Sequence, residues 1–415
     1  MATFVIIGAG LAGAKAAETL RGEGFDGDIV LLGTEPERPY ERPPLSKGVL
    51  LGKAERESAF VHPAGWYAEN RVDFRPGVTV TAIDPAGHAV TADGGAVAYD
   101  KLLLATGAAP RRLDLPGADL DGVHYLRTMQ ESERLRAAFA TGARVVIIGA
   151  GWIGLETAAA ARLADCPVTV VEPEPGALHR TLGPELGAVF GDLHRSHGVE
   201  FRFGETVTSL YVPPQAPPRP GEPVAPKIAG VVTSSGDQVR GEVIVVGIGV
   251  IPNDALAQAA GLEVSNGVVT DAALRTSDPD IFAAGDVASS FNPLLGHRVR
   301  VDHWSNALNG GVAAAKAMLG QDVSYDRVPY FFSDQYDLGM ECCGLPSPGA
   351  YDQVVYRGDV RAREFIAFWL SGGRLVAGMN VNVWDVAGDI QALIRSGREL
   401  NPARLANPGI PLTDV

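Results

Sequence analysis

Phe4-Val5-Ile6-Ile7-Gly8-Ala9-Gly10-Leu11-Ala12-Gly13 is repeated in kind by Val145-Val146-Ile147-Ile148-Gly149-Ala150-Gly151-Trp152-Ile153-Gly154. Each stretch runs from four apolar residues into Gly-x-Gly-x-x-Gly and then into an alanine-rich segment. An unbroken apolar run of this length reads as a strand covered on both faces of a parallel sheet. The first glycine permits a tight turn, the second lets the backbone approach a pyrophosphate, and the third lets helix and strand pack closely. The helix N-terminal N–H groups then face the phosphates. One such motif arises readily in glycine-rich sequence. Two, each after a strand and before a helix, imply two bound dinucleotides, of which one passes electrons to the other.

Working outward, the first motif predicts a strand over 3–7, a helix over 12–21 and a second strand over 29–32. The second predicts a strand over 144–148, a helix over 155–163 and a strand over 168–171. Buried strands are also expected over 99–107, 243–249 and 280–286. The first two end in the small-residue turns Ala105-Thr106-Gly107 and Gly247-Ile248-Gly249, which are assigned to the cofactor sites. After about residue 328 aromatic and β-branched segments alternate with turns, which predicts an antiparallel sheet with a final helix around 390–395. The expected fold is α/β: two Rossmann-like dinucleotide-binding domains plus a C-terminal α+β domain. The domains are 1–109 with 250–327, then 110–249, then 328–415.

An acidic residue after the second strand should accept hydrogen bonds from ribose hydroxyls. In the first unit this is Glu35, with Thr34 as a substitute; in the second it is Glu172, with Glu174 close behind. The extra phosphate of NADP would meet these two carboxylates, and no Arg or Lys follows until Arg180. NADH is therefore the expected donor, with NADPH open if Arg180 swings in.

The chain has 415 residues, 46% hydrophobic and 20% charged, with a formal net charge of -14. That charge argues against a general nucleic-acid binder. The three cysteines, Cys166, Cys342 and Cys343, are too few for a disulfide framework or a four-thiolate iron–sulfur cluster, so no metal site is expected. They suit a reducing, cytoplasmic setting. The apolar stretches 1–20 and 143–164 are each broken by a glycine turn, so neither is expected to be a signal peptide or a membrane span. The proline-rich stretch 211–226 reads as an exposed loop.

With these motifs in hand, the chain resembles the FAD-dependent, glutathione-reductase-like pyridine-nucleotide reductases, and within them the ferredoxin reductases of bacterial oxygenase and cytochrome P450 systems. The resemblance runs through Arg42-Pro43-Pro44-Leu45-Ser46-Lys47, Leu104-Ala105-Thr106-Gly107, Tyr125-Leu126-Arg127-Thr128, Gly249-Val250-Ile251-Pro252-Asn253, Ala284-Gly285-Asp286 and Ser333-Asp334-Gln335-Tyr336-Asp337. It implies FAD at the first unit, through Gly8, Gly10, Leu11, Ala12, Gly13, Thr34, Glu35 and Arg42. Lys47, Arg127 and Trp304 should meet the flavin, Val80 the adenine through its backbone, and Gly285 with Asp286 the ribityl chain or phosphate. It implies NADH at the second, through Gly149, Gly151, Trp152, Ile153, Gly154, Glu156 and Glu172. Phe332 stands where many such reductases carry a Trp.

Disulfide-reducing members of the superfamily carry a cysteine pair in the region that here is 40–52, where this chain has Ser46 and Lys47 instead. The resemblance therefore implies that electrons leave for a small [2Fe-2S] or other iron–sulfur ferredoxin. Docking an acidic ferredoxin on this acidic chain needs a basic patch, for which Arg298 and Arg300 are the candidates, and Lys47 and Glu156 are expected to form a catalytic ion pair that rearranges when NADH binds. Alternatively, Glu156 is a first-turn acid favoured by the helix dipole. Oxygen or rubredoxin as acceptor, and a non-enzymatic NADH-responsive association switch like apoptosis-inducing factor, are the competing readings.

Overall fold

A computed structural model of the chain describes residues 1–213 and 227–415; most of the proline-rich stretch lies outside the described residues. By contact density the chain divides into two compact units. The first comprises Met1–Arg42, Arg56–Ala109 and Val250–Phe331, and the second Pro43–Glu55, Pro110–Gly249 and Phe332–Val415. Among the described residues no helix is long and apolar enough to cross a membrane.

The first unit is built on a five-stranded parallel sheet in the order Ile281–Ala283, Lys101–Leu104, Thr3–Ile7, Asp28–Gly33, Val72–Pro76. Val5, Ile6, Leu31, Leu102 and Leu103 have no exposed surface, as both-face coverage requires. On one face lie the helices Leu11–Gly22 and Trp304–Met318. They approach so closely that a Cβ on Gly311 would stand 2.2 Å from the Ala12 carbonyl oxygen.

In the second unit a matching parallel sheet has the order Val199–Phe203, Val168–Glu172, Val145–Ile148, Val243–Val246, Val123–Tyr125. The helix Trp152–Leu163 follows the glycine turn. It starts three residues before the expected 155, because Gly151 is already its extended N-cap. The third glycine thus sits inside the helix, as Gly13 does in the first unit.

The last strands form a five-stranded sheet in the order Tyr330–Gln335, Leu338–Gly344, Arg374–Val381, Glu364–Ser371, Gln353–Asp359. The helix Ala387–Ser396 packs on it. A short helix, Pro402–Ala406, was not expected; Asn401 caps it by accepting from the Ala403 and Arg404 amides.

Candidate functional site

The two glycine turns are physically alike. Gly8 has φ +115°, and a Cβ there would lie 2.0 Å from the Ala105 carbonyl oxygen. Gly149 has φ +103°, and its Cβ would lie 2.4 Å from the Gly247 carbonyl oxygen. Each of these amides donates to the second strand, Gly8 to Leu32 O at 2.8 Å and Gly149 to Val171 O at 2.9 Å. A Cβ on Gly13 or Gly154 would strike the carbonyl oxygen of Gly8 or Gly149 at 2.1 and 2.0 Å. By contrast, nothing lies within 4 Å of a Cβ on Gly10 or Gly151. The middle glycines therefore face open space at a helix N-terminus, beside N–H groups with no intrahelical acceptor. This is the cradle a pyrophosphate needs, and it occurs once in each unit.

In the first unit, Glu35 is held by Tyr40 and by Arg42, whose Nη2 donates to Oε1 at 2.9 Å. Thr34 is exposed, and Val80 is buried at the start of the strand Val80–Asp84. Thr106 and Asn253 lock the turn after the strand Lys101–Leu104. Thr106 Oγ1 donates to Asn253 O and Asn253 Nδ2 donates to Thr106 O, both at 2.8 Å. Gly285 takes φ +77° at the turn before Asp286, a carboxylate only 9% exposed. Trp304 is the first residue of its helix. Arg298 Nη1 donates to the carbonyl oxygens of Thr270 and Ser289, at 2.5 and 2.8 Å. Arg300 donates to that of Asp286 at 3.3 Å.

In the second unit, Glu172 sits against the glycine turn. Its Oε2 accepts from the Ala150 amide at 2.6 Å and its Oε1 from the Glu174 amide at 2.9 Å. Glu174 in turn pairs with Arg180, through Nε at 2.6 Å and Nη2 at 2.5 Å. Trp152 packs edge-on against Phe190, and Ile153 is exposed. The peptide amide of Arg127 donates to Glu131 at 2.9 Å, next to the capping box that Thr128 and Glu131 form at the helix Met129–Phe139.

Lys47 and Glu156 come together in this same unit. Glu156, 4% exposed, accepts from Lys47 Nζ at 2.7 Å, Ser333 Oγ at 2.7 Å and Ser46 Oγ at 2.5 Å. A carboxylate this buried needs such a set of donors to stay charged. The short turn Pro43–Ser46, which carries Ser46 and leads into Lys47, is tied down by Ser132 Oγ, which donates to Leu45 O at 2.7 Å. The Lys47 ammonium lies 5.3 Å from the centre of the Phe332 ring. Glu156 is in the second turn of its helix, and the first turn has no acidic residue. The helix-dipole reading of Glu156 therefore fails, since that effect is confined to the first turn.

Sequence reading paired Lys47 with Glu156 but missed Ser333. The signal available was Ser333 and Gln335 at period two on one strand, both 1% exposed, with polar atoms that need partners. Cys166, Cys342 and Cys343 are free and buried. Burial pushes the Cys342 thiol well above its usual range and Cys343 up to about 11. None of the three offers a thiolate near neutral pH.

The sequence pattern of the pyridine nucleotide-disulphide oxidoreductases matches residues 2–311, and that of a reductase C-terminal domain matches 330–415. The chain belongs to the pyridine nucleotide-disulphide oxidoreductase family. Within that family it is 42% identical, over 99% of this chain and 98% of the relative, to the ferredoxin–NAD(+) reductase component of an anthranilate 1,2-dioxygenase system from Burkholderia cepacia. It is 41% identical, over 92% and 86%, to a rhodocoxin reductase from Rhodococcus erythropolis. Among solved structures, the reductase–putidaredoxin covalent complex of putidaredoxin reductase matches with a TM-score of 0.93 and 34% identity, covering 99% of this chain and 97% of that one.

Replacing Lys47 by Met strands the Glu156 carboxylate in the protein interior. A loss of about 3–5 kcal/mol is expected in chemical denaturation, with much of it recovered in the double variant Lys47→Met, Glu156→Gln. Equal stability of the single variant and the parent would show that the pair carries no such burden.

Proposed function

We propose that this oxidoreductase takes a hydride from NADH onto FAD and delivers single electrons to a small iron–sulfur ferredoxin that serves a P450 or another oxygenase. The observation that carries the reading is the Ser46–Lys47–Glu156 cluster, occupying the segment where disulfide-reducing relatives would hold a cysteine pair. With the three thiols buried elsewhere, no protein disulfide takes the electrons, so they go to an external acceptor. The balance is NADH plus two oxidised ferredoxins giving NAD⁺, two reduced ferredoxins and one proton.

The open cradle at Gly10, with Glu35, Arg42 and Asp286, is the FAD seat, and Ala105, Thr106, Gly107 and Trp304 complete it. The cradle at Gly151, with Glu172, Ile153 and the 247–249 turn, is the seat of the nicotinamide dinucleotide. FAD when bound supplies the exchange between two-electron and one-electron chemistry. The chain's own residues bind, orient and exclude water. Glu156, anchored by two hydroxyls, holds a fixed negative charge at the nicotinamide end. Lys47 holds the matching positive charge on Glu156, and this ion pair rearranges when NADH arrives. Phe332 shields Lys47 in place of the tryptophan of related reductases.

NADH is favoured because Glu172 and Glu174 would face the extra phosphate of NADPH, and Glu174 also holds Arg180 away from it. Arg298 and Arg300 are the docking residues for an acidic ferredoxin, their guanidinium groups fixed by backbone carbonyls. The buried free thiols fit a cytoplasmic setting.

Two measurements test this. Anaerobic NADH should bleach the purified yellow protein, and added oxidised ferredoxin should restore the colour and reduce cytochrome c in turn. Absence of bound flavin defeats the proposal. Rapid NADH consumption in air without any partner would favour an oxidase, rubredoxin as sole acceptor would redirect the last step, and turnover too slow with every acceptor would favour an association switch. Separately, Glu174→Ala should release Arg180 and move the kcat/KM ratio toward NADPH by about tenfold; an unchanged ratio would remove Glu174 from cofactor choice.

A further inference from the structure

Glu156 is the end of a longer hydrogen-bonded chain within the second unit. Ser333 Oγ, which donates to Glu156, receives Gln335 Nε2 at 3.1 Å. Gln335 Oε1 meets His194 Nε2 at 2.8 Å, and Tyr336 Oη meets His194 Nδ1 at 3.4 Å. His194 has no exposed surface, and Ser333 and Gln335 have 1% each, so the links from Ser333 to His194 are shut off from bulk solvent. The helix Pro184–Ser196 supplies His194. Tyr336, at φ +57°, turns its ring onto that helix, stacking on His197 at 3.7 Å and meeting His194 edge-on.

The chain has a direction. A serine hydroxyl has one proton to give. Ser333 gives it to Glu156 while its other neighbour is a donor, and Gln335 is a donor there only with its amide nitrogen toward Ser333. That orientation puts the amide oxygen against His194 Nε2, a contact that needs an Nε2–H. Turning the amide over would set two N–H donors head to head 2.8 Å apart. The Tyr336 hydroxyl suits this tautomer by donating to the unprotonated Nδ1. Burial pushes the His194 imidazole down to about 4 against the pull of the Gln335 contact, and His197 adds to the lowering; the neutral ring therefore persists at neutral pH.

We propose that His194 is a positioning residue for Glu156: by fixing the amide of Gln335 it makes Ser333 donate to the carboxylate. Without the Nε2–H, the amide is free to turn over, Ser333 donates to Gln335 Oε1 instead, and Glu156 loses one of its three donors. This rests on the role given to Glu156 above.

The test uses the full-length flavin-loaded protein with nitrogen-15 histidine. NMR should show His194 neutral and protonated at Nε2 from about pH 8 to about pH 5. An Nδ1–H tautomer, or protonation near pH 6.5 as in a free histidine, overturns the proposal whatever the variants do. Isotope-edited infrared then follows the Glu156 carboxylate. In His194→Phe its titration midpoint should rise by about one pH unit, and His194→Gln, which keeps an N–H donor, should restore it. Ser333→Ala should cause a similar rise, with no further rise in the double variant. An unmoved midpoint in His194→Phe, or an additive shift, overturns the proposal. These readings do not depend on hydride transfer, so they stay decisive even if Glu156 proves to have no part in it.

Discussion

One buried carboxylate organises much of this molecule. Glu156 draws its donors from two distant segments: Ser46 and Lys47 on the turn after Arg42, and Ser333 on the first strand of the C-terminal sheet. A charge inside a protein is tolerated only when its lone pairs are filled, and removal of one partner costs more than the pair itself contributes. The cluster therefore demands that the Pro43–Ser46 turn and the strand Tyr330–Gln335 reach the helix Trp152–Leu163. Accordingly the segment Pro43–Glu55 and the chain from Phe332 onward group with the second nucleotide unit, although each is far from it in sequence.

The repeated glycine turn imposes a second, more local constraint. In both units the first and third glycines are excluded from bearing a side chain by a carbonyl oxygen 2.0–2.4 Å from the Cβ position, while the middle one is free to bear one as far as the protein is concerned. The first and third glycines thus serve the fold, and the middle one leaves open space at the helix N-terminus. The turns are alike, and their surroundings distinguish them: Glu35 is occupied by side chains, Tyr40 and Arg42, whereas Glu172 is occupied by the amides of Ala150 and Glu174.

What could be read from the sequence follows from the range of each interaction. The two strand–turn–helix units were legible because strand, glycine turn and helix are adjacent in the chain. The antiparallel character of the last sheet was legible from turns between β-branched runs. The helix start at Trp152 was misjudged because the third glycine looks like turn material although it packs inside the helix. Ser333, 177 residues from Glu156, and His194, 141 residues from Gln335, gave no local sign of their partners. Each reads as an ordinary polar residue on an amphipathic element until tertiary packing closes the contact. Residues 43–55 join the second unit through side-chain bonds of the same long range.

In the proposed function the anchored charge of Glu156 serves the transfer of hydride from the nicotinamide. Its most direct test is anaerobic stopped-flow reduction of the bound flavin by NADH in Glu156→Gln, a variant of nearly the same shape that lacks the charge. A slower reduction step with flavin retention unchanged is expected. Reduction at the parental rate would contradict it.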